Sequence, residues 1–206
     1  MLRLPRLYAI VDPLDTGRSP VALAEALLAG GSRCLQLRLK PATSRDVLDV
    51  ARAIHSLTRA AGALFLVNDR PDIAVLAGAD GVHLGQDDLP PEAARRVLGP
   101  DRIIGISTHD PDQVRAAVAA GADYVAVGPV YATTSKVGAL VPRGLDLVRA
   151  ARPLVPCPLV AIGGIDATTA PDVIAAGADA VAMIGALVRT PDPAAAVRGV
   201  LARLPT

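Results

Sequence analysis

Three times the chain leaves a helical pattern and enters a short apolar run through the same tetrapeptide. Ala77-Gly78-Ala79-Asp80, Ala120-Gly121-Ala122-Asp123 and Ala176-Gly177-Ala178-Asp179 are near-copies, and Ala29-Gly30-Gly31-Ser32 is a looser version. A Gly at the end of a helix takes the left-handed conformation at no steric cost and turns the chain tightly into a strand. The apolar runs that follow alternate with others that lack the tetrapeptide. Together they read Leu7–Val11, Cys34–Arg38, Leu64–Val67, Val82–Leu84, Ile103–Ser107, Tyr124–Val127, Leu159–Ile162 and Ala180–Met183. Near-continuous apolar runs of this length are the pattern of parallel strands covered on both faces. Helical patterns lie between them, such as Ser44–Ala61 and Asp110–Ala119. Pro20, Pro71, Pro91, Pro111, Pro171 and Pro193 fall near helix starts, where a missing N–H costs little.

Eight such units in 206 residues leave about 26 residues each, near the lower size limit of a (β/α)8 barrel. The expected fold is therefore α/β, a single compact TIM barrel over residues 1–206. The competing architecture is an open doubly wound sheet. It normally carries a Gly-rich phosphate turn after its first strand, where this chain has Asp12-Pro13-Leu14-Asp15.

Composition removes several function classes. Lys and Arg number 21 against 20 acids, without the basic excess of a nucleic-acid binder. No apolar run approaches the ~18 residues of a membrane span. The start, Met1 to Asp12, shows no apolar secretory region, and two Cys are too few for a disulfide framework or a Cys-based zinc site. The expected location is cytoplasmic, with Cys34 and Cys157 as buried apolar thiols. Aromatics make up only 2%, so the core must be built from Ala, Val, Leu and Ile. Only Lys40 and Lys136 are Lys, and Asn68 is the single Asn. Where a coding bias has left so few, each survivor is a place to look for chemistry.

Barrel chemistry sits at the C-terminal ends of the strands. Asp12, after the first strand, reads as a turn or cap residue. At the second, Gln36, Arg38 and Lys40 alternate onto one side, and two cations on an apolar strand end call for an anion. The third ends in Asn68-Asp69 and the fourth leads to Gln86-Asp87-Asp88. Neighbouring strand ends lie ~4.8 Å apart, so these carboxylates can approach one ion. Hard oxygen donors suit Mg²⁺, which also binds substrate phosphates. The fifth brings Ser107, then Thr108, His109 and Asp110, the last a helix cap. His109 is either a structural residue or an acid/base group. His83 and His55 are expected to be packing or surface residues. After the sixth strand, Tyr131–Pro142 lacks periodicity and reads as a lid. It carries Thr133, Thr134, Ser135 and Lys136. Gly163-Gly164 and Ile184-Gly185 end the last two strands, where barrels often hold a phosphate on backbone N–H groups.

In this order the motifs LYAIVD (Leu7–Asp12), QLRLK (Gln36–Lys40), NDR (Asn68–Arg70), DGVHLGQDD (Asp80–Asp88), GIS (Gly105–Ser107), GPVYATTSK (Gly128–Lys136) and IGGI (Ile162–Ile165) resemble the thiamine-phosphate synthase family along nearly the whole chain. The resemblance implies a transferase that condenses 4-amino-2-methyl-5-(diphosphooxymethyl)pyrimidine with thiazole phosphate to give thiamine phosphate and pyrophosphate. It implies that Gln36, Leu37, Arg38, Leu39, Lys40, Asn68, Ser107 and Lys136 bind the pyrimidine diphosphate, with Arg38, Lys136 and Ser107 catalytic. It implies that Asp69 and Asp88 hold Mg²⁺, and that Thr133, Thr134, Ser135, Gly164, Ile184 and Gly185 form the thiazole-phosphate site. Ala132 stands where Pro is usual, Ser135 where Thr is common and Gly185 where Ser is usual. The alternatives are a thiazole tautomerase of the same fold, working through His109, and a non-catalytic binder of thiamine intermediates. Partners are expected to be small phosphorylated molecules, with neither nucleic acid nor membrane.

Overall fold

The computed structural model describes residues 2–14, 16–134 and 141–205. Eight parallel strands close on themselves in chain order. They are β1 (Leu7–Val11), β2 (Cys34–Leu37), β3 (Leu64–Asn68), β4 (Gly81–Leu84), β5 (Ile103–Thr108), β6 (Tyr124–Val127), β7 (Leu159–Ile162) and β8 (Ala180–Met183). Around them lie α1 (Pro20–Ala29), α2 (Ser44–Ala61), α3 (Pro71–Ala77), α4 (Pro91–Leu98), α5 (Pro111–Ala119), α6 (Gly144–Ala151), α7 (Ala170–Ala175), the short α8 (Gly185–Val188) and α9 (Pro193–Leu201). This is the expected TIM barrel.

The strands separate two cores, which is why they read as unbroken apolar runs. Alternate residues such as Leu7, Leu35, Val67, Val82, Val125 and Leu159 face the helices and share one large cluster with them. The intervening positions, Tyr8, Ile10, Cys34, Leu66, Tyr124, Ala126, Val160, Ala180 and Ala182, fill the barrel itself. The helices start where the sequence marks them. Pro20, Pro71, Pro91, Pro111 and Pro193 each occupy the first helical position, and Asp110 caps α5 by accepting from the Gln113 N–H at 2.9 Å. Cys34 is buried, and Cys157 is half-buried rather than fully so.

The repeated tetrapeptide does more than turn the chain. Gly78, Gly121 and Gly177 have φ of +76°, +79° and +115°, as expected at helix ends. The Asp that follows then clasps the neighbouring strand at two points. Asp80 N–H donates to Phe65 O and its carboxylate accepts from Phe65 N–H, at 2.8 and 2.7 Å. Asp123 does the same with Ile104, at 2.8 and 2.8 Å, and Asp179 with Leu159, at 2.8 and 2.7 Å. Each clasp ties an even strand to the odd strand before it, at the end of the barrel opposite the loops that carry chemistry. Arg95 and Arg152 add ion pairs to Asp123 and Asp179.

Candidate active site

A cavity of about 560 Å³ opens at the C-terminal ends of the strands. Among the described residues it is lined by Gln36, Arg38, Lys40, Asn68, Asp69, Asp88, Ser107, Thr133, Thr134, Gly164, Ile184 and Gly185, so these expected site residues do converge on one space. Ser135 and Lys136, with the middle of the expected lid, lie outside the described residues. Leu37 and Leu39 differ from the lining residues in where their side chains go. Leu37 is buried in the cluster between strands and helices, and Leu39 packs against that cluster. Alternation sends these two apolar side chains away from the cavity while it sends Gln36, Arg38 and Lys40 toward it.

The two cations of β2 and its extension meet carboxylates. Arg38 pairs with Asp12 and Lys40 with Asp69. Asp12 is the expected turn residue, since its Oδ1 accepts from Leu14 N–H at 2.9 Å. It is also the buried anchor that aims Arg38, a role set by the β1–β2 register. Asp69 stands in the left-handed region at φ +62°. That is uncommon outside Gly, and such conformations concentrate at functional sites. Its N–H is tied to the His83 carbonyl at 2.8 Å, which holds the turn.

Asp88 folds back so that its Oδ2 accepts from Gly85 N–H at 2.6 Å, facing Asp69. Burial, and then the hydrogen bond its protonated form donates to the neighbouring Asp69 carboxylate, push the Asp88 carboxyl above its ordinary range, while Lys40 pulls it down. Two facing carboxyl groups, with an ammonium paired to Asp69, offer hard oxygens to a cation. Hard oxygens at β3 and β4 fit Mg²⁺.

Across the cavity, the β6 and β7 loops come very close. Val130 N–H donates to Ile162 O and Tyr131 N–H to Gly163 O, both at 2.9 Å. Gly163 and Gly164 have φ of +106° and +62°, and a Cβ on Gly164 would lie 2.3 Å from the Ala132 carbonyl. Only Gly allows Tyr131 and Ala132 to pass this close to the end of β7. Arg189, just after α8, lines the same end of the cavity and donates to Thr134 Oγ1 at 3.0 Å.

His83 is not the packing or surface residue expected. It is buried and lines the cavity floor, with Nε2 at 2.8 Å from Ser107 Oγ and Nδ1 at 2.8 Å from the Tyr124 phenol oxygen. His109 also lines the cavity, and its Nδ1–H donates to Gly128 O at 2.7 Å. Gln86 donates to the Ser107 carbonyl at 2.6 Å.

The profile of the family described as thiamine monophosphate synthase matches residues 7–187. The chain belongs to this family. A thiamine-phosphate synthase of Moorella thermoacetica is 48% identical over 193 residues, 93% of this chain and 92% of the relative. One of Chloroflexus aurantiacus is 46% identical, covering 94% of this chain and 89% of the relative. The solved thiamine phosphate pyrophosphorylase of Pyrococcus furiosus superposes with a TM-score of 0.87 at 34% identity, covering 96% of this chain and 94% of that one. The sequence carried no signal for Arg189 or for the anchoring role of Asp12, and it pointed to packing or surface for His83.

Proposed function

We propose that the chain is a cytoplasmic thiamine-phosphate synthase, a transferase joining the pyrimidine diphosphate to thiazole phosphate with release of pyrophosphate. The observation that carries this reading is the division of one cavity into two polar ends. Arg38, Lys40, Asn68, Asp69 and Asp88 gather at the ends of β2 to β4, and the Gly163-Gly164 turn, Thr133, Thr134, Gly185 and Arg189 gather opposite. Two phosphorylated reactants need two such ends, with their reacting atoms meeting between them.

In the reaction the C–O bond between the pyrimidine methylene and the diphosphate breaks, and its electron pair leaves with the diphosphate. The thiazole nitrogen lone pair then forms the new C–N bond. No protein nucleophile is needed. Arg38, held by Asp12, presents a rigid guanidinium to the departing oxygens, where fixed charge is most effective. Lys40, Lys136 and Asn68 bind the same group. Ser107 and Gln36 face the pyrimidine from the floor. Thr133, Thr134, Ser135, the Gly164 backbone and Gly185 hold the thiazole phosphate. Asp69 and Asp88 would hold Mg²⁺, whose chemistry when bound is to neutralise charge on the diphosphate.

Purified protein supplied with both substrates in Mg²⁺ should form thiamine phosphate and pyrophosphate, and a chelator should stop it. Folded protein that forms no product under these conditions would overturn the reading.

A further inference from the structure

Beneath the cavity, side chains of five strands form one hydrogen-bonded chain across the barrel interior. Gln36 Nε2 donates to the Tyr8 phenol oxygen at 2.8 Å, and the phenol oxygens of Tyr8 and Tyr124 meet at 2.8 Å. Tyr124 continues to His83 Nδ1, and His83 Nε2 reaches Ser107 Oγ, each at 2.8 Å. Gln36 and Ser107, the two ends, line the cavity, and both tyrosines are fully buried.

The proton count gives this chain a direction. Each phenol has one proton, and Gln36 donates at one end. If Tyr124 donated to Tyr8, the Tyr8 oxygen would accept twice and its own proton would have no acceptor within this chain of bonds, a cost for a group so buried. Tyr8 therefore donates to Tyr124, and Tyr124 donates to His83 Nδ1. An accepting Nδ1 means a neutral imidazole with its proton on Nε2, which donates to Ser107. Ser107, having accepted, keeps its own proton for an acceptor in the cavity. Burial pushes both phenols well above their ordinary range, so they stay protonated.

The fold reserves room for this chain. Gly105 pairs with Tyr124 in the β5–β6 register, and a Cβ on it would fall 1.9 Å from the Tyr124 ring. The phenol oxygens are also the partners of Gln36 Nε2 and His83 Nδ1, so replacing both phenols by Phe would leave those two buried groups without them.

We propose that Tyr124 and His83 are positioning residues for the synthase reaction, fixing Ser107 as a hydrogen-bond donor toward an acceptor nitrogen of the heteroaromatic substrate. The inference rests on the synthase reading above, and two measurements separate their fates.

The first needs no activity. The chain has three histidines, so ¹⁵N-histidine labelling and long-range proton–nitrogen spectra resolve each ring, with His83 assigned through the signals lost in His83→Gln. The neutral tautomer with its proton on Nε2 is expected, and Tyr124→Phe should weaken that preference. A proton on Nδ1 would mean a chain running the other way and would overturn the proposal.

The second is kinetic. Tyr124→Phe should lower kcat/KM for the pyrimidine diphosphate about tenfold or more, leaving KM for thiazole phosphate unchanged. His83→Gln, which restores an N–H near the Nε2 position, should recover most of the activity lost in His83→Leu. In a Ser107→Ala background, Tyr124→Phe should have little further effect, because its action passes through Ser107. An equal loss with or without Ser107 would show a general structural role and sink the proposal. A wild-type protein that makes no thiamine phosphate would instead sink the synthase reading, with the tautomer result still decided.

Discussion

Asp179→Ala isolates what the repeated tetrapeptide contributes. The Asp179 carboxylate accepts from Leu159 N–H at 2.7 Å and from Arg152 Nη1 at 2.6 Å. A hydrogen bond to a charged group contributes ~1.5–3 kcal/mol. The Arg152 side chain is 33% exposed and that of Asp179 48%, so water screens the ion pair and it adds only ~0–1 kcal/mol. Leu159 itself is fully buried, which leaves its N–H poorly placed to find water. The loss should be about 2–3 kcal/mol. For a chain of 206 residues, each kcal/mol moves Tm by ~2–4 °C, giving a fall of about 5–10 °C by differential scanning fluorimetry. Asp179→Asn keeps an acceptor oxygen and should lose about half as much. Because the clasp is at the end of the barrel away from the cavity, kcat should stay within about twofold of wild type. A Tm shift below about 1 °C in Asp179→Ala would refute the assignment of the clasp. So would a large loss of kcat in protein that remains folded at the assay temperature.

Other substitutions separate the roles at the cavity. Asp69→Asn and Asp88→Asn should each lower Mg²⁺-dependent turnover by about 10² or more, measured as thiamine phosphate formed across a Mg²⁺ titration. His109→Ala should leave synthase activity within about tenfold of wild type, since the imidazole is engaged with a backbone carbonyl and the proposed reaction assigns it no proton transfer. Loss of turnover without unfolding would return His109 to the chemistry. Leu37→Ala should cost about 2–5 kcal/mol of stability by chemical denaturation while leaving both substrate KM values unchanged. A selective rise in one KM would restore Leu37 to the substrate site.

The strands were legible because a parallel barrel buries both faces of each one. All eight apolar runs became strands, with ends moved by no more than a residue. The loop side was legible where charge interrupts apolar sequence, as at Arg38, Lys40 and Asp69. Other groups were hidden by their dependence on closure. Tyr8 and Tyr124 are 116 residues apart and meet only because β1 and β6 face each other across the ring. His83 lies in a run of apolar strand residues, so its sequence context pointed to packing. Its Nε2 reaches Ser107 because β4 and β5 pair with His83 opposite Gly105. Arg189 carried little signal in a chain where nineteen of the 21 basic residues are Arg. The side chains of Leu37 and Leu39 face away from the cavity. A motif match spans consecutive residues, whereas a strand offers the cavity only every second one.

Charge around the cavity bears on the proposed reaction as a whole. Among the described residues, its lining holds the cations Arg38, Lys40 and Arg189 and the carboxylates Asp69, Asp87, Asp88 and Asp166. The Thr168 hydroxyl, bonded to Asp166, holds that carboxyl below the ordinary range, so it remains charged. Arg38 is further offset by Asp12 and Lys40 by Asp69. Among the described residues this lining carries more carboxylates than cations, and like charges in a partly desolvated site repel strongly. The acidity is concentrated at Asp69 and Asp88, next to the cations meant for the leaving group. A divalent cation at that position would reverse the local sign and free Lys40 from Asp69 to meet phosphate oxygens. On the proposed reading, the carboxylates that oppose diphosphate binding are thus the groups that would make it conditional on the metal.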